Sequence, residues 1–201
     1  MDGYTTFRFL PQATTMTDRE RLITFLATRS ARRGSFILAS GKESTLYIDA
    51  RLTTMSPDGL PLIGALGLAA LRKTGWIVDA IGGLTLGADP VTYAISYASA
   101  GSPFPLRAFT VRKTAKTHGT GRRIEGPFRS GDRVVVIEDV ITTGRSALTA
   151  VEAIRDAQGS VQGILALVDR EEGGRETLEA AGLPVVSLIT ATEILTKMPP
   201  N

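Results

Sequence analysis

The chain has 201 residues, 43% of them hydrophobic, which suffices for one sizeable core in a single domain spanning 1–201. Its 23 basic and 20 acidic residues leave a net charge of +3, which does not by itself call for nucleic acid. There is no cysteine and one histidine, which excludes disulfides, thiolate catalysis, cysteine-ligated zinc and motifs such as His-Glu-x-x-His.

No apolar run of about twenty residues occurs, so no spanning helix is expected. The start, Met1-Asp2-Gly3-Tyr4, lacks a signal-peptide pattern. These features imply a soluble, cytoplasmic protein with no membrane partner. Residues 1–16 lack periodicity and read as a loose arm. Thr17-Asp18-Arg19-Glu20 has capping-box spacing, and Leu22, Ile23 and Leu26 line one face of the helix that follows. Phe36-Ile37-Leu38 and Leu46-Tyr47-Ile48 flank a polar turn over 39–45 and predict a β-hairpin. Ser56-Pro57 opens a long apolar helix that ends near Gly75.

From there the pattern alternates. Strands are expected at 77–81, 106–111, 133–137, 164–168 and 185–189, with helices at 89–98, 146–157 and 176–181. Such alternation implies right-handed βαβ crossovers, hence an α/β fold with a mostly parallel central sheet and helices on both faces. The first helix and hairpin (17–55) precede it and are expected to form a small N-terminal hood over the sheet's ligand edge. Residues 113–126 interrupt the rhythm. Fourteen residues without apolar periodicity suggest a functional or mobile loop.

The most informative stretch is Val134-Val135-Val136-Ile137-Glu138-Asp139-Val140-Ile141-Thr142-Thr143-Gly144-Arg145-Ser146. Four β-branched residues predict a fully buried strand. It runs into two carboxylates, then a Thr-Thr-Gly turn, and Ser146 opens an amphipathic helix. Free N–H groups and the positive dipole end at a helix start form an anion cradle. The adjacent carboxylates would repel bare phosphate but accept hydrogen bonds from sugar hydroxyls. One turn thus offers a seat for a phosphate and a grip on a ribose. A structural crossover with a polar tip would share the strand and helix, though not the whole pattern.

This segment resembles the phosphoribosyl diphosphate (PRPP) signature of the type I phosphoribosyltransferases. Further motifs resemble the orotate phosphoribosyltransferase family: Phe36-Ile37-Leu38-Ala39-Ser40-Gly41-Lys42-Glu43-Ser44 its hairpin over the base, and Gly82-Gly83-Leu84-Thr85-Leu86-Gly87-Ala88 its pyrophosphate loop. Arg112-Lys113-x-x-Lys116-x-His118-Gly119 resembles its basic mobile loop, and Asp169-Arg170 falls where the family has a base-binding arginine.

The resemblance implies a PRPP site made of Leu84, Thr85, Leu86 and Gly87, of Arg112, Lys113, Lys116 and His118, and of Glu138 through Ser146 (Glu138, Asp139, Val140, Ile141, Thr142, Thr143, Gly144, Arg145 and Ser146). Orotate would meet Ser40, Tyr47, Thr142 and Arg170, and Lys116, His118 and Asp139 would be catalytic. Magnesium would enter as cofactor, held mainly through PRPP rather than by protein ligands. The family also implies a homodimer that shares loop 113–126 across its interface.

Physical chemistry agrees with these roles. Loss of diphosphate from C1 leaves positive charge on the sugar and negative charge on the leaving oxygens, which preorganised cations and amides can meet. His118 would donate a proton or only a hydrogen bond. Glu138 and Asp139 would hold the ribose hydroxyls, or merely cap a helix. Arg170 would take the orotate carboxylate bidentately, or pair with Glu171 or Glu172 at the surface. Arg145 would add a cation for the 5-phosphate or point outward.

Glu138 stands where the family usually has aspartate. Ala39 and Leu86 replace lysines that some members carry, and neither lysine's role is transferred. The expected activity is transfer of phosphoribosyl from PRPP to orotate in pyrimidine synthesis. Its rivals are a purine or uracil phosphoribosyltransferase and a PRPP-sensing, nucleic-acid-binding regulator. The regulator is disfavoured because no room remains for an added binding module, so no nucleic-acid partner is expected.

Overall fold

The structure is a computed structural model that describes residues 16–37, 43–114 and 123–199. Thr17 caps the first helix, α1 (Asp18–Phe25), with both halves of a capping box: its backbone N–H donates to Glu20 at 2.8 Å and its hydroxyl accepts from the Glu20 N–H at 3.2 Å. The helix continues as one wider turn over Leu26–Ser30. Strands β1 (Ala31–Ile37) and β2 (Glu43–Ile48) form an antiparallel hairpin. A short helix that the sequence pattern does not reveal, α2 (Arg51–Thr54), follows directly. Helix α3 (Gly59–Thr74) starts later than Ser56-Pro57 suggests, because those residues form the entering turn, where the Ser56 hydroxyl accepts from the Gly59 N–H. It stops at Gly75, whose φ of 73° is left-handed.

The remaining elements alternate as β3 (Ala80–Leu84), α4 (Ala88–Ser99), β4 (Arg107–Val111), β5 (Ile124–Glu125), β6 (Arg133–Ile141), α5 (Arg145–Asp156), β7 (Ser160–Asp169), α6 (Gly174–Ala180), β8 (Val185–Thr190) and α7 (Ala191–Lys197). The central sheet has the order β5-β4-β3-β6-β7-β8, and only β5 runs antiparallel to its neighbour. The expected α/β architecture with a mostly parallel sheet is what forms.

Burial explains the unbroken apolar strands. Val135 and Ile137 join a cluster with α1, α3, α4 and α7, whereas Val134 and Val136 join one beneath α5 and α6. With both faces covered, each side chain from Val134 to Ile137 is buried, contributing about 1.5–3 kcal/mol apiece.

Several elements differ from expectation. β3 starts at Ala80 rather than residue 77, since Ile77 is exposed and Asp79 is tied to Arg133. β6 extends to Ile141, so the acid pair lies on the strand itself. The expected loop 113–126 is partly strand: β5 pairs with Thr110 and Val111 of β4. Helix α7 is an addition to the expected elements, although Thr190 and Glu193 form a second capping box. Among the described residues, no helix is long and apolar enough to cross a membrane.

Candidate active site

The sheet's strand order reverses between β3 and β6, where α/β sheets open a crevice at their C-terminal edge. A cavity of about 920 Å³ lies there. Three groups of residues build it: the end of β3 with Leu84, Thr85, Leu86 and Gly87; the end of β6 with Glu138 through Ser146; and the hairpin exit with Tyr47, Ile48, Asp49, Ala50 and Arg51. Lys113 and Arg170 complete the rim.

The turn after β6 is built as an anion seat. Gly144 takes φ 78° and precedes the first helical residue, Arg145. Any Cβ at Gly144 would also press on Leu178 at 2.9 Å, so glycine is required on both counts. The first N–H groups of α5 lack helical partners and open toward the cavity rim. Arg145 and Ser146 line it on exposed side chains.

The acid pair is not symmetric. Asp139 accepts the Val140 N–H at 2.9 Å and packs on Gly87 of the neighbouring loop. Burial raises its carboxyl above the usual range, and the Val140 N–H and the charge of Arg51 partly offset this. Glu138 is only 6% exposed, and its Oε1 is buried without a hydrogen-bond partner. Burial first, and the neighbouring Asp139 second, push its carboxyl well above the ordinary carboxylate range. The two carboxylates expected to hold the ribose hydroxyls thus sit in different surroundings. Glu138 is the more deeply buried member of the pair, and Asp139 is the one that reaches the cavity beside Gly87.

Arg170 sits beneath the hairpin, also 6% exposed. Its backbone N–H donates to Ile141 O at 2.9 Å, which fixes it relative to the anion turn. Nη2 donates to the Ser44 hydroxyl at 2.9 Å, to Leu46 O at 2.8 Å and to Glu172 at 2.5 Å. The alternative pairing with Glu172 thus exists, but as a buried contact rather than a surface one. Nε is buried and unpartnered, so part of the guanidinium fork is unpaired. The other candidate, Glu171, instead accepts from Thr192.

Arg112 is not among the cavity-lining residues. Its guanidinium leans toward Glu125 at 3.8 Å. Ser40, Lys116 and His118 lie outside the described residues, as do Ala39 and most of loop 113–126. Sequence reasoning misses Asp49 and Arg51. Arg51 grips Asp49 bidentately at 2.8 and 3.0 Å on the cavity wall, and an Asp-x-Arg directly after a strand is the available signal.

A helix-start anion seat beside an acid-bearing strand end, at the switch point of a parallel sheet, defines a transferase of the type I phosphoribosyltransferase class. No protein-family model matches the chain. It is 45% identical over 183 residues to an orotate phosphoribosyltransferase of Aquifex aeolicus, covering 90% of this chain and 99% of that one. A crystal structure of the Mycobacterium tuberculosis H37Rv orotate phosphoribosyltransferase in complex with Fe(III) dicitrate matches with a TM-score of 0.76 at 42% identity, covering 89% and 99%. The same enzyme in complex with PRPP matches with a TM-score of 0.73 at 39% identity, covering 89% and 99%. The chain belongs to the orotate phosphoribosyltransferase family.

Proposed function

We propose that the chain transfers phosphoribosyl from PRPP to orotate, giving orotidine 5-monophosphate and diphosphate in pyrimidine synthesis. The observation that carries this reading is the contact of Asp139 with Gly87, which puts a ribose grip against a leaving-group loop across β3 and β6. The 5-phosphate occupies the turn 142–146, and Asp139 and Glu138 take the ribose hydroxyls. The diphosphate lies between the backbone of 84–87 and Lys113, with Arg112 turning to it from Glu125 and the partner subunit's Lys116 joining them.

As the C1–oxygen bond breaks, Asp139 supplies the negative charge nearest the developing oxocarbenium. Glu138, whose carboxyl is raised by burial, faces the same sugar from beneath Asp139. The open part of the Arg170 fork receives the orotate carboxylate while its other amino group keeps the hairpin in place. Tyr47, Ile48 and Ser40 close over the base, Thr142 contacts it, and His118 attends the leaving group.

Arg51 occupies both oxygens of Asp49 on the wall, which fits a cation carried by the substrate rather than by protein ligands. Magnesium keeps its waters and travels on substrate phosphates, so its chemistry here is to neutralise the leaving diphosphate. The enzyme works in the cytoplasm as a homodimer. Supporting the dimer, α4 exposes Tyr93 (51%) and Tyr97 (85%) one turn apart, beside the exposed Leu86 loop.

A base panel with PRPP and magnesium, following diphosphate release, tests the activity. Orotate alone should be consumed. Turnover of uracil, adenine or hypoxanthine in its place overturns the assignment.

A further inference from the structure

Asp89 takes no part in the chemistry above, yet it is a buried acid in the first turn of α4. A first-turn carboxylate is ordinarily explained by the helix dipole. Here it has two partners from outside the helix. Oδ2 accepts from the Thr85 hydroxyl at 2.7 Å, and Oδ1 accepts from the Thr110 hydroxyl at 2.8 Å. The single Thr110 hydroxyl proton is therefore spent on Asp89, so the 2.8 Å contact between Thr110 and Tyr93 has the tyrosine donating.

These two threonines belong to different working segments. Thr85 begins the loop after β3 that lines the cavity, and its backbone N–H donates to Val111 O at 2.8 Å. Thr110 lies on β4, opposite Glu125 of β5, and the next hydrogen bond joins the Arg112 N–H to Arg123 O at 2.8 Å. Thr110 is thus part of the stem that carries Arg112 and Lys113.

We propose that Asp89 is a positioning residue that straps the loop 85–87 to the stem of the basic segment, so that backbone amides and cations meet the same leaving diphosphate in one fixed geometry. The inference rests on the reading that diphosphate lies between those segments. Its physical basis is that both hydrogen bonds are charge-assisted. Neither hydroxyl can leave without exposing a bare buried acceptor. Leaving-group stabilisation needs donors that are already in place.

The test uses Thr85→Val and Thr110→Val, which keep the branched shape and each remove one donor, with Thr85→Ser and Thr110→Ser as rescues. Inorganic diphosphate affinity is read by calorimetry, together with kcat and both KM values. Each valine variant should lose about 10- to 100-fold in kcat, as small misplacements at reacting groups do, with weaker diphosphate binding and unchanged orotate KM. The serine variants should return to within about threefold of wild type, because they keep the donor.

The double valine variant should fall little below the worse single one, since both act through one carboxylate. Losses that multiply, or valine variants that unfold more easily yet keep wild-type kcat and diphosphate affinity, overturn the proposal. Diphosphate binding is read without any base, so a wild-type protein that fails the base panel counts against the assigned activity and leaves this test standing.

Discussion

Gly87, just before α4, packs so closely on β6 that a β-carbon there would lie 2.6 Å from Oδ1 of Asp139 and closer still to its Oδ2. Gly87 has ordinary helical φ, so alanine is conformationally allowed. What forbids it is the carboxylate. Gly87→Ala should drive Asp139 off its position without unfolding the chain. If Asp139 holds the sugar as proposed, displacing the carboxylate should cost one charge-assisted hydrogen bond, about 1.5–3 kcal/mol of transition-state stabilisation. Steady-state kinetics with unchanged thermal unfolding would bear this out. Wild-type kcat/KM in Gly87→Ala would mean that Asp139 has room to move and that its packing on Gly87 has no role.

The raised carboxyl of Glu138 gives stability a defined pH dependence. Its folded pKa lies above its unfolded value of about 4.3. Between those two values the native state keeps a proton that the unfolded chain has released, so stability falls as pH rises, by about 1.4 kcal/mol per unit for one group. Below the unfolded pKa the contribution is fully present. Glu138→Gln, which cannot ionise, should be more stable than wild type near pH 8, with the gain shrinking toward pH 4. Urea unfolding across that range reads it. Parallel curves for the two proteins would show that Glu138 ionises freely in the fold. The glutamine also keeps a donor, so PRPP affinity should stay near wild type.

The hairpin contacts of Arg170 can be separated from the base-binding role proposed for it. Its Nη2 holds Ser44 and Leu46 of the hairpin, and the rest of its fork is assigned to orotate. Arg170→Ala should raise orotate KM by the worth of a charged hydrogen bond, about 1.5–3 kcal/mol, with PRPP affinity nearly intact. Ser44→Ala removes one hairpin tie and leaves the guanidinium in place, so its effect should be within a few-fold of wild type. Equal losses in both variants would assign Arg170 to the hairpin and take it out of the base site.

Local periodicity makes much of this fold legible. Continuous apolar strands and a Gly-terminated α3 are written in a few residues each, so the sheet and its phosphate turn can be read directly. The features that escape depend on contacts distant in sequence. Nothing adjacent to Glu138 says that it is more deeply buried than Asp139. That difference comes from the layers packed on β6. Ile124-Glu125 is too short to show strand periodicity and is a strand only because β4 pairs with it. Asp89 looks like any acid at a helix start until Thr85 and Thr110 are brought to it. Helix α7 is the exception: its Thr190–Glu193 capping box has the same spacing as the Thr17–Glu20 box that marks α1, so a local signal was there to be read.

The basic segment can complete its own subunit's site or its partner's. Lys113 lines the cavity of its own chain, whereas Lys116 lies outside the described residues and is assigned to the partner's site in the proposed dimer. On the proposed assignment, Lys116→Ala takes a cation from the leaving group and Asp139→Asn takes charge that an oxocarbenium-like state would need. Each should be inactive alone. Unfolded and refolded together in equal amounts, they pair at random, and about half the dimers are mixed. If the segment crosses the interface, every mixed dimer has one doubly damaged site and one intact site, so activity returns to about one quarter of wild type for a two-fold dimer. If it serves its own subunit, each site keeps one lesion and nothing returns. Mixed dimers confirmed by mass, with no recovered activity, would sink the shared site while leaving the transferase assignment untouched.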